Sequence, residues 1–168
     1  RVGVLGITQP VYAQSGKEPV ISNLRVGKHP DKIRLVLDMS NDLSFTIFQL
    51  PDPYRIVLDL PQVSFDLPKT ARTRSVGAVG GWRYGLFEPG TSRLVIDAKA
   101  PVKVAAAFVL PPSGDHGHRL VLDLAPTDRN AFMVASKASI ERRMANRTPR
   151  VRPTPAPNPP AVPGDDRR

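Results

Sequence analysis

The sequence predicts an all-β domain made of two pseudo-symmetric four-stranded antiparallel sheets, a duplicated half, followed by a short helix and a disordered Pro-rich tail. Three observations lead there. Nearly the same five letters occur four times: RLVLD from Arg34, RIVLD from Arg55, RLVID from Arg93 and RLVLD from Arg119. The text around them repeats as well, since the Arg25-x-Gly27 segment before one unit matches Arg83-x-Gly85 before another, each followed by a Pro-containing turn at Pro30 or Pro89. Finally, Val, Ile, Leu and Phe dominate short runs bounded by Pro, Gly, Asp and Asn, with breaks too short for the crossovers of a parallel sheet.

Along the chain, residues 1–18 read as a leader. The apolar run ending in Val11-Tyr12-Ala13 before Gln14 has the small residues a signal peptidase reads, so it predicts the remnant of a secretory signal peptide. The two halves follow, over 20–62 and 75–126, each reading as strand, Pro-containing turn, strand, polar break, strand, turn and strand. Side chains alternate on a strand, which puts Leu35 and Leu37 on one side and Arg34, Val36 and Asp38 on the other. The leucines, with Leu120 and Leu122, belong in the core. Around Trp82 the same parity assigns Val76, Ala78, Trp82, Tyr84 and Leu86 inward, and Gly77, Val79, Gly81, Arg83 and Gly85 to a nearly bare outer face. Residues 127–147 predict a marginal helix with Thr127 as N-cap and Phe132, Ala135, Ile140 and Met144 loosely at helical spacing. Residues 148–168 hold seven prolines between Pro149 and Pro163 and predict an extended linker.

Composition narrows the function classes. The chain of 168 residues has no cysteine, so disulfides, thiolate metal sites and cysteine nucleophiles are excluded. Its formal charge is +9, but residues 19–126 hold thirteen Lys/Arg against ten Asp/Glu, while 137–168 hold eight against three. So balanced a fold lacks the dense positive field that phosphate binding requires, and nucleic acid is not an expected partner. No segment is long enough to cross a membrane. The histidines are His29, His116 and His118. A catalytic zinc takes typically three protein ligands, and His116-x-His118 lies among turn glycines, so no metal site and no catalytic group is expected.

The segments VISNLRVGKHPDKIRLVLDMS, FTIFQLPDPYRIVLDLP and TSRLVIDAKAPVKVAAAFVLPPSGDHGHRLVLDLAP resemble the AMIN domain over about residues 19–126. That domain is the N-terminal module of bacterial periplasmic N-acetylmuramoyl-L-alanine amidases and also occurs in some pilus secretins. The resemblance implies two symmetric four-stranded sheets, a periplasmic location, and peptidoglycan binding that targets an amidase to the septal wall, with septal envelope proteins as further partners. It also implies that catalysis, and the zinc that serves it, belong to a separate domain absent from this sequence. The alternative is a periplasmic protein-interaction or anchoring domain of a secretin or another envelope complex.

Within that frame the expected wall-binding residues are Arg83, Gly85 and Arg93 in one half and Arg25, Gly27 and Arg34 in the other. A guanidinium fork suits the carboxylates of peptide stems, and glycine lets a polymer approach the sheet closely. Asp38, Asp59, Asp97 and Asp123 are read as partners in cross-strand ion pairs worth about 0.2–1 kcal/mol each. Trp82 and Tyr84 are read as core residues rather than as platforms for sugar rings.

Overall fold

Antiparallel pairing of the five-letter units organises the molecule. The computed structural model describes residues 16–147; the expectations for the leader up to Ser15 and for the Pro-rich segment 148–168 fall outside the described residues. The chain runs through β1 (Val20–Lys28), β2 (Ile33–Met39), β3 (Thr46–Leu50), β4 (Arg55–Pro61), β5 (Ser64–Phe65), a 3-10 turn (Lys69–Ala71), β6 (Val79–Glu88), β7 (Thr91–Ala98), β8 (Val102–Leu110), β9 (His118–Pro126) and α1 (Arg129–Arg147). One sheet has the order β5-β1-β2-β9-β8 and the other β3-β4-β7-β6. The pairs are antiparallel except for β5, a two-residue strand parallel to β1 that adds a fifth member to the first sheet.

Each sheet draws two strands from each half. Exchanging β1 with β6, β2 with β7, β3 with β8 and β4 with β9 turns β1-β2-β9-β8 into β6-β7-β4-β3, so the twofold relation holds between the sheets while each half is divided between them. The five-letter unit explains the exchange. Reversed against another copy of itself, Arg-x-x-x-Asp sets arginine opposite aspartate at both ends. In β2 and β9 the register is Arg34 with Asp123 and Asp38 with Arg119; in β4 and β7 it is Arg55 with Asp97 and Asp59 with Arg93. A slip of one residue would place arginines over apolar neighbours and turn the leucines to water, so charge and burial specify the same register.

The intervening positions form the core. Leu35, Leu37, Leu120, Leu122 and Leu124 of the first sheet meet Ile56, Leu58, Leu94 and Ile96 of the second, all buried. Trp82 is buried with them and its indole N–H donates to the Ala71 carbonyl at 3.1 Å, which ties the 3-10 turn over one end of the sandwich.

The parity expected around Trp82 needs correction. A register shift lies between Val79 and Gly81, so Val79, assigned to the outer face, is wholly buried beside Trp82. The extra residue of a bulge reverses the alternation. The same irregularity occurs at the equivalent place in β1, between Ile21 and Asn23, so the bulge is part of the repeat. Tyr84 keeps the parity of Trp82 but is 45% exposed, with Phe65 against it at 4.7 Å between ring centroids. Leu86 is 60% exposed. The core does not follow β6 that far.

Helix α1 packs along β3, an edge strand. Its N-cap is Asp128, not Thr127: the Asp128 carboxylate accepts the Ala131 N–H at 2.8 Å. Phe132 is buried and meets Tyr54 edge-on at 4.8 Å, Ser136 donates to the Gln49 carbonyl at 2.9 Å, and Met144 is largely exposed. A helix here shields backbone groups that an open edge would offer to other chains.

Candidate functional site

The outward-facing residues of β1, β2 and β9 on one sheet, and of β6, β7 and β4 on the other, build two equivalent surfaces. Arg34 donates Nε and Nη2 to the two Asp123 carboxylate oxygens at 2.8 and 2.9 Å, and Arg93 does the same to Asp59 at 2.7 and 3.0 Å. One strand over, Arg25 reaches Asp38 at 2.8 Å and Arg83 reaches Asp97 at 3.1 Å. The four aspartates of the repeat are thus held in cross-strand ion pairs. Burial separates the inner pairs from the outer ones: the Arg93 and Asp59 side chains are 17% and 14% exposed, whereas Arg83 is 66% exposed.

A shallow recess opens beside each inner pair. One, of about 230 Å³, is lined by Arg83, Tyr84, Gly85, Leu86, Phe87, Arg93 and Val95. The other, of about 220 Å³, is lined by Arg25, Val26, Gly27, His29, Arg34 and Val36. Their linings correspond position by position under the twofold: Arg83 with Arg25, Gly85 with Gly27, Phe87 with His29, Arg93 with Arg34 and Val95 with Val36. The structure therefore brings together Arg83, Gly85 and Arg93, and likewise Arg25, Gly27 and Arg34. Gly85 lies opposite Arg93 and Gly27 opposite Arg34, and a side-chain carbon added at Gly85 would meet nothing within 4 Å. Gly77 and Gly81 do not join them. Gly77 turns the chain against the Ile33 side chain with φ of 54°, and Gly81 lies against the Thr73 hydroxyl.

The guanidinium groups keep unused hydrogen-bonding capacity. Each bidentate contact through Nε and Nη2 leaves the Nη1 edge of Arg34 and Arg93 without a side-chain or carbonyl acceptor among the described residues, and a guanidinium carries five donors in a planar fork. The aspartates hold the two arginines in place. Asp123 is a stable counterion in this role. Its carboxyl is held below the usual carboxylate range by the Arg34 hydrogen bonds, against the opposing effect of burial, with the charges of Arg34 and Lys32 adding to the shift.

The two recesses differ in their third member. On the second sheet Phe87 lies against Arg93, with the guanidinium carbon 3.4 Å from the ring centroid, and Phe48 approaches the same carbon at 5.3 Å. On the first sheet His29 takes the place of Phe87, and Lys32 stands 3.6 Å from Asp123. Phe87 and His29 did not figure among the sequence candidates, although aligning the halves beyond the Arg-x-Gly pairs brings them opposite each other. Arg143 of α1 also reaches this region, 3.9 Å from Asp59 and with its guanidinium carbon 3.8 Å from the Phe48 ring centroid. A larger recess of about 400 Å³ shares Asp59 with this pair and is lined further by Thr46, Glu88, Thr91 and Arg143.

The histidines sit on separate elements: His29 after β1, His116 in the turn where it pairs with Ser113, and His118 at the start of β9. Among the described residues no group of three His, Asp or Glu is arranged to hold a metal ion, and no helix is long and apolar enough to cross a membrane.

Comparison with known proteins adds a family. Residues 23–124 match the family described as the AMIN domain. Over 136 residues the chain is 32% identical to a protein named N-acetylmuramoyl-L-alanine amidase AmiC from Neisseria meningitidis serogroup B, covering 77% of this chain and 32% of that protein. Over 109 residues it is 28% identical to a protein of the same name from Escherichia coli O6:H1, covering 62% of this chain and 26% of that protein. The chain thus spans about a third or less of the curated relatives it matches.

Proposed function

Because the chain belongs to the AMIN-domain family, we propose that it is a non-catalytic module whose two arginine recesses bind peptidoglycan in the periplasm and target an N-acetylmuramoyl-L-alanine amidase to the septal wall. In this reading the amidase chemistry and its zinc belong to a further domain of the parent protein. Septal envelope proteins would then contribute to where the enzyme acts.

The observation that carries the reading is the duplicated recess, in which two arginines and a glycine recur on the outer face of each sheet. Peptidoglycan stems end in carboxylates that a guanidinium edge can bind bidentately. The missing side chain at Gly85 or Gly27 leaves room for the stem to lie close to the strand. Recesses on the two outer faces would engage separate stems, and two weak contacts on one polymer add their effects through a raised local concentration.

Co-sedimentation of the full chain with purified sacculi tests the proposal. Arg83→Ala and Arg25→Ala remove exposed arginines whose loss leaves the inner ion pairs standing. Each single change should lower retention and the double change should abolish most of it, with unchanged melting temperatures. Retention of the double variant at the parent's level, or no retention of the parent, would reject the reading.

A further inference from the structure

Among the described residues, the twofold leaves one strand edge without the cover its twin has. Under the exchange that relates the sheets, β3 corresponds to β8, and their registers against β4 and β9 match residue by residue: Phe48 faces Val57 as Phe108 faces Val121, and Leu50 faces Arg55 as Leu110 faces Arg119. The sequences agree at those positions, TIFQL against AAFVL. Their surroundings do not. Phe48 is 3% exposed where α1 lies along β3, whereas Phe108 is 38% exposed. Ser136 of α1 donates to the Gln49 carbonyl on the outer edge of β3. By the same register the Val109 carbonyl of β8 points outward, and among the described residues β9 is the sole sheet neighbour of β8.

We propose that the edge of β8 around Phe108 is a docking site for an acidic amphipathic helix of a partner protein, seated as α1 is seated on β3. The molecule itself supplies the template: an aromatic anchor and, one turn later, a hydroxyl that satisfies the exposed carbonyl, as Phe132 and Ser136 do. Shape favours a helix over an added strand, because the ladder between β8 and β9 is interrupted between Val104 and Ala106, and such a bulge spoils an edge for regular strand addition.

Charge selects the partner. Lys103 is exposed on β8, and among the described residues the Nε of Arg119, opposite Leu110, is enclosed without a hydrogen-bond acceptor. The carboxylates nearest in register, Asp38 and Asp123, are already engaged by Arg25 and by Arg34 with Lys32. Helix α1 carries five basic residues against Glu141 alone, so the helix of a second copy would bring like charge to this edge. An acidic helix would complement it.

The test uses the full chain and a synthetic helical peptide that keeps the Phe-x-x-x-Ser spacing of α1 and carries glutamates where α1 has Lys and Arg. Binding followed by amide chemical shifts should perturb β8 and the facing residues of β9. Phe108→Asp, at a half-exposed position, should weaken binding about tenfold, equivalent to about 1.4 kcal/mol. Lys103→Glu provides a second variant that leaves the core untouched and should weaken it as well. No binding at millimolar peptide, shifts confined to β3 and α1, or equal binding of a peptide with the basic α1 sequence would overturn the proposal. So would self-association of the chain that Phe108→Asp abolishes, which would assign the edge to a second copy. Wall retention by the sacculus assay plays no part in these outcomes, so the two proposals stand or fall separately.

Discussion

Arg93 stacks on Phe87 with its guanidinium carbon 3.4 Å from the ring centroid, on the opposite edge of the β7 ladder from the strand that carries its partner Asp59. The aspartate fixes two of its donors and the ring fixes its plane. On the other sheet Arg34 has the equivalent aspartate but His29 where the phenyl ring would be. The second sheet therefore presents the more rigid arginine of the two.

Phe87→Ala should consequently weaken the recess of the second sheet without harming the fold, since Phe87 is half exposed. A cation–π contact of this kind contributes about 0.5–2 kcal/mol. In an Arg25→Ala background, where the first recess is disabled, sacculus retention should fall by a factor of about 2–30, the range that energy implies. The corresponding His29→Ala in an Arg83→Ala background should do less. Equal effects of the two changes would show that the stack does not organise the site.

The ion pair of Asp123 makes stability depend on acid. Because Arg34 holds the folded-state pKa of Asp123 below its unfolded value, the pair's contribution is complete above the unfolded value, about 3.9, and is lost as pH falls through the lower folded one. Asp123→Asn should lower stability at neutral pH by about 1.5–3 kcal/mol, the worth of hydrogen bonds to a charged group. Its urea midpoint should then fall less steeply than the parent's as the solution is acidified below about pH 4. Parallel pH profiles for the two proteins would contradict this role.

Ser92 carries a different kind of load. It is wholly buried in β7, where its hydroxyl accepts the Val63 N–H at 3.0 Å and returns a hydrogen bond to the Val63 carbonyl at 3.3 Å. That exchange anchors the segment leading from β4 to β5. Ser92→Ala strands both backbone groups and should cost about 1–3 kcal/mol in chemical denaturation, with sacculus retention unchanged below the transition. An unaltered midpoint would mean that the segment finds other partners.

Much of this was legible in the sequence because the repeat encodes register directly. Arg34 and Asp123 lie 89 positions apart, yet the self-complementary order of Arg-x-x-x-Asp specifies which ends meet once antiparallel pairing is assumed. The pairing of Arg25 with Gly27 and of Arg83 with Gly85 on one face was readable for the same reason. What escaped was whatever broke strict alternation. The bulge at Val79 and Gly81 carries two glycines, but its twin at Ile21 and Asn23 carries none, so no local composition announces it. Parity counted through the bulge consequently misassigned Val79; Gly77 lies in the turn before β6, and Gly81, opposite Asp97 on the parity of Arg83, is covered by the Thr73 hydroxyl. The exposure of Tyr84 depends on where the opposing sheet ends, and the reach of Arg143 to Asp59 depends on how α1 packs; neither is a property of the neighbouring residues.

The glycines of β6 convert that distinction into an experiment. A side-chain carbon at Gly81 would come within 2.8 Å of the Thr73 hydroxyl oxygen, the same oxygen that accepts the Trp82 N–H at 2.8 Å. Gly81→Ala must therefore push aside the group that positions Trp82 in the core, and should destabilise the protein by about 1–3 kcal/mol, the usual cost of overpacking. Gly85→Ala meets open space and should leave the denaturation midpoint within about 0.5 kcal/mol of the parent, as surface substitutions generally do. Gly85→Leu would go further, filling the recess between Arg83 and Arg93 and lowering sacculus retention while the fold persists. If Gly81→Ala proved as stable as the parent while Gly85→Ala unfolded, the assignment of one glycine to packing and the other to an open binding face would be reversed.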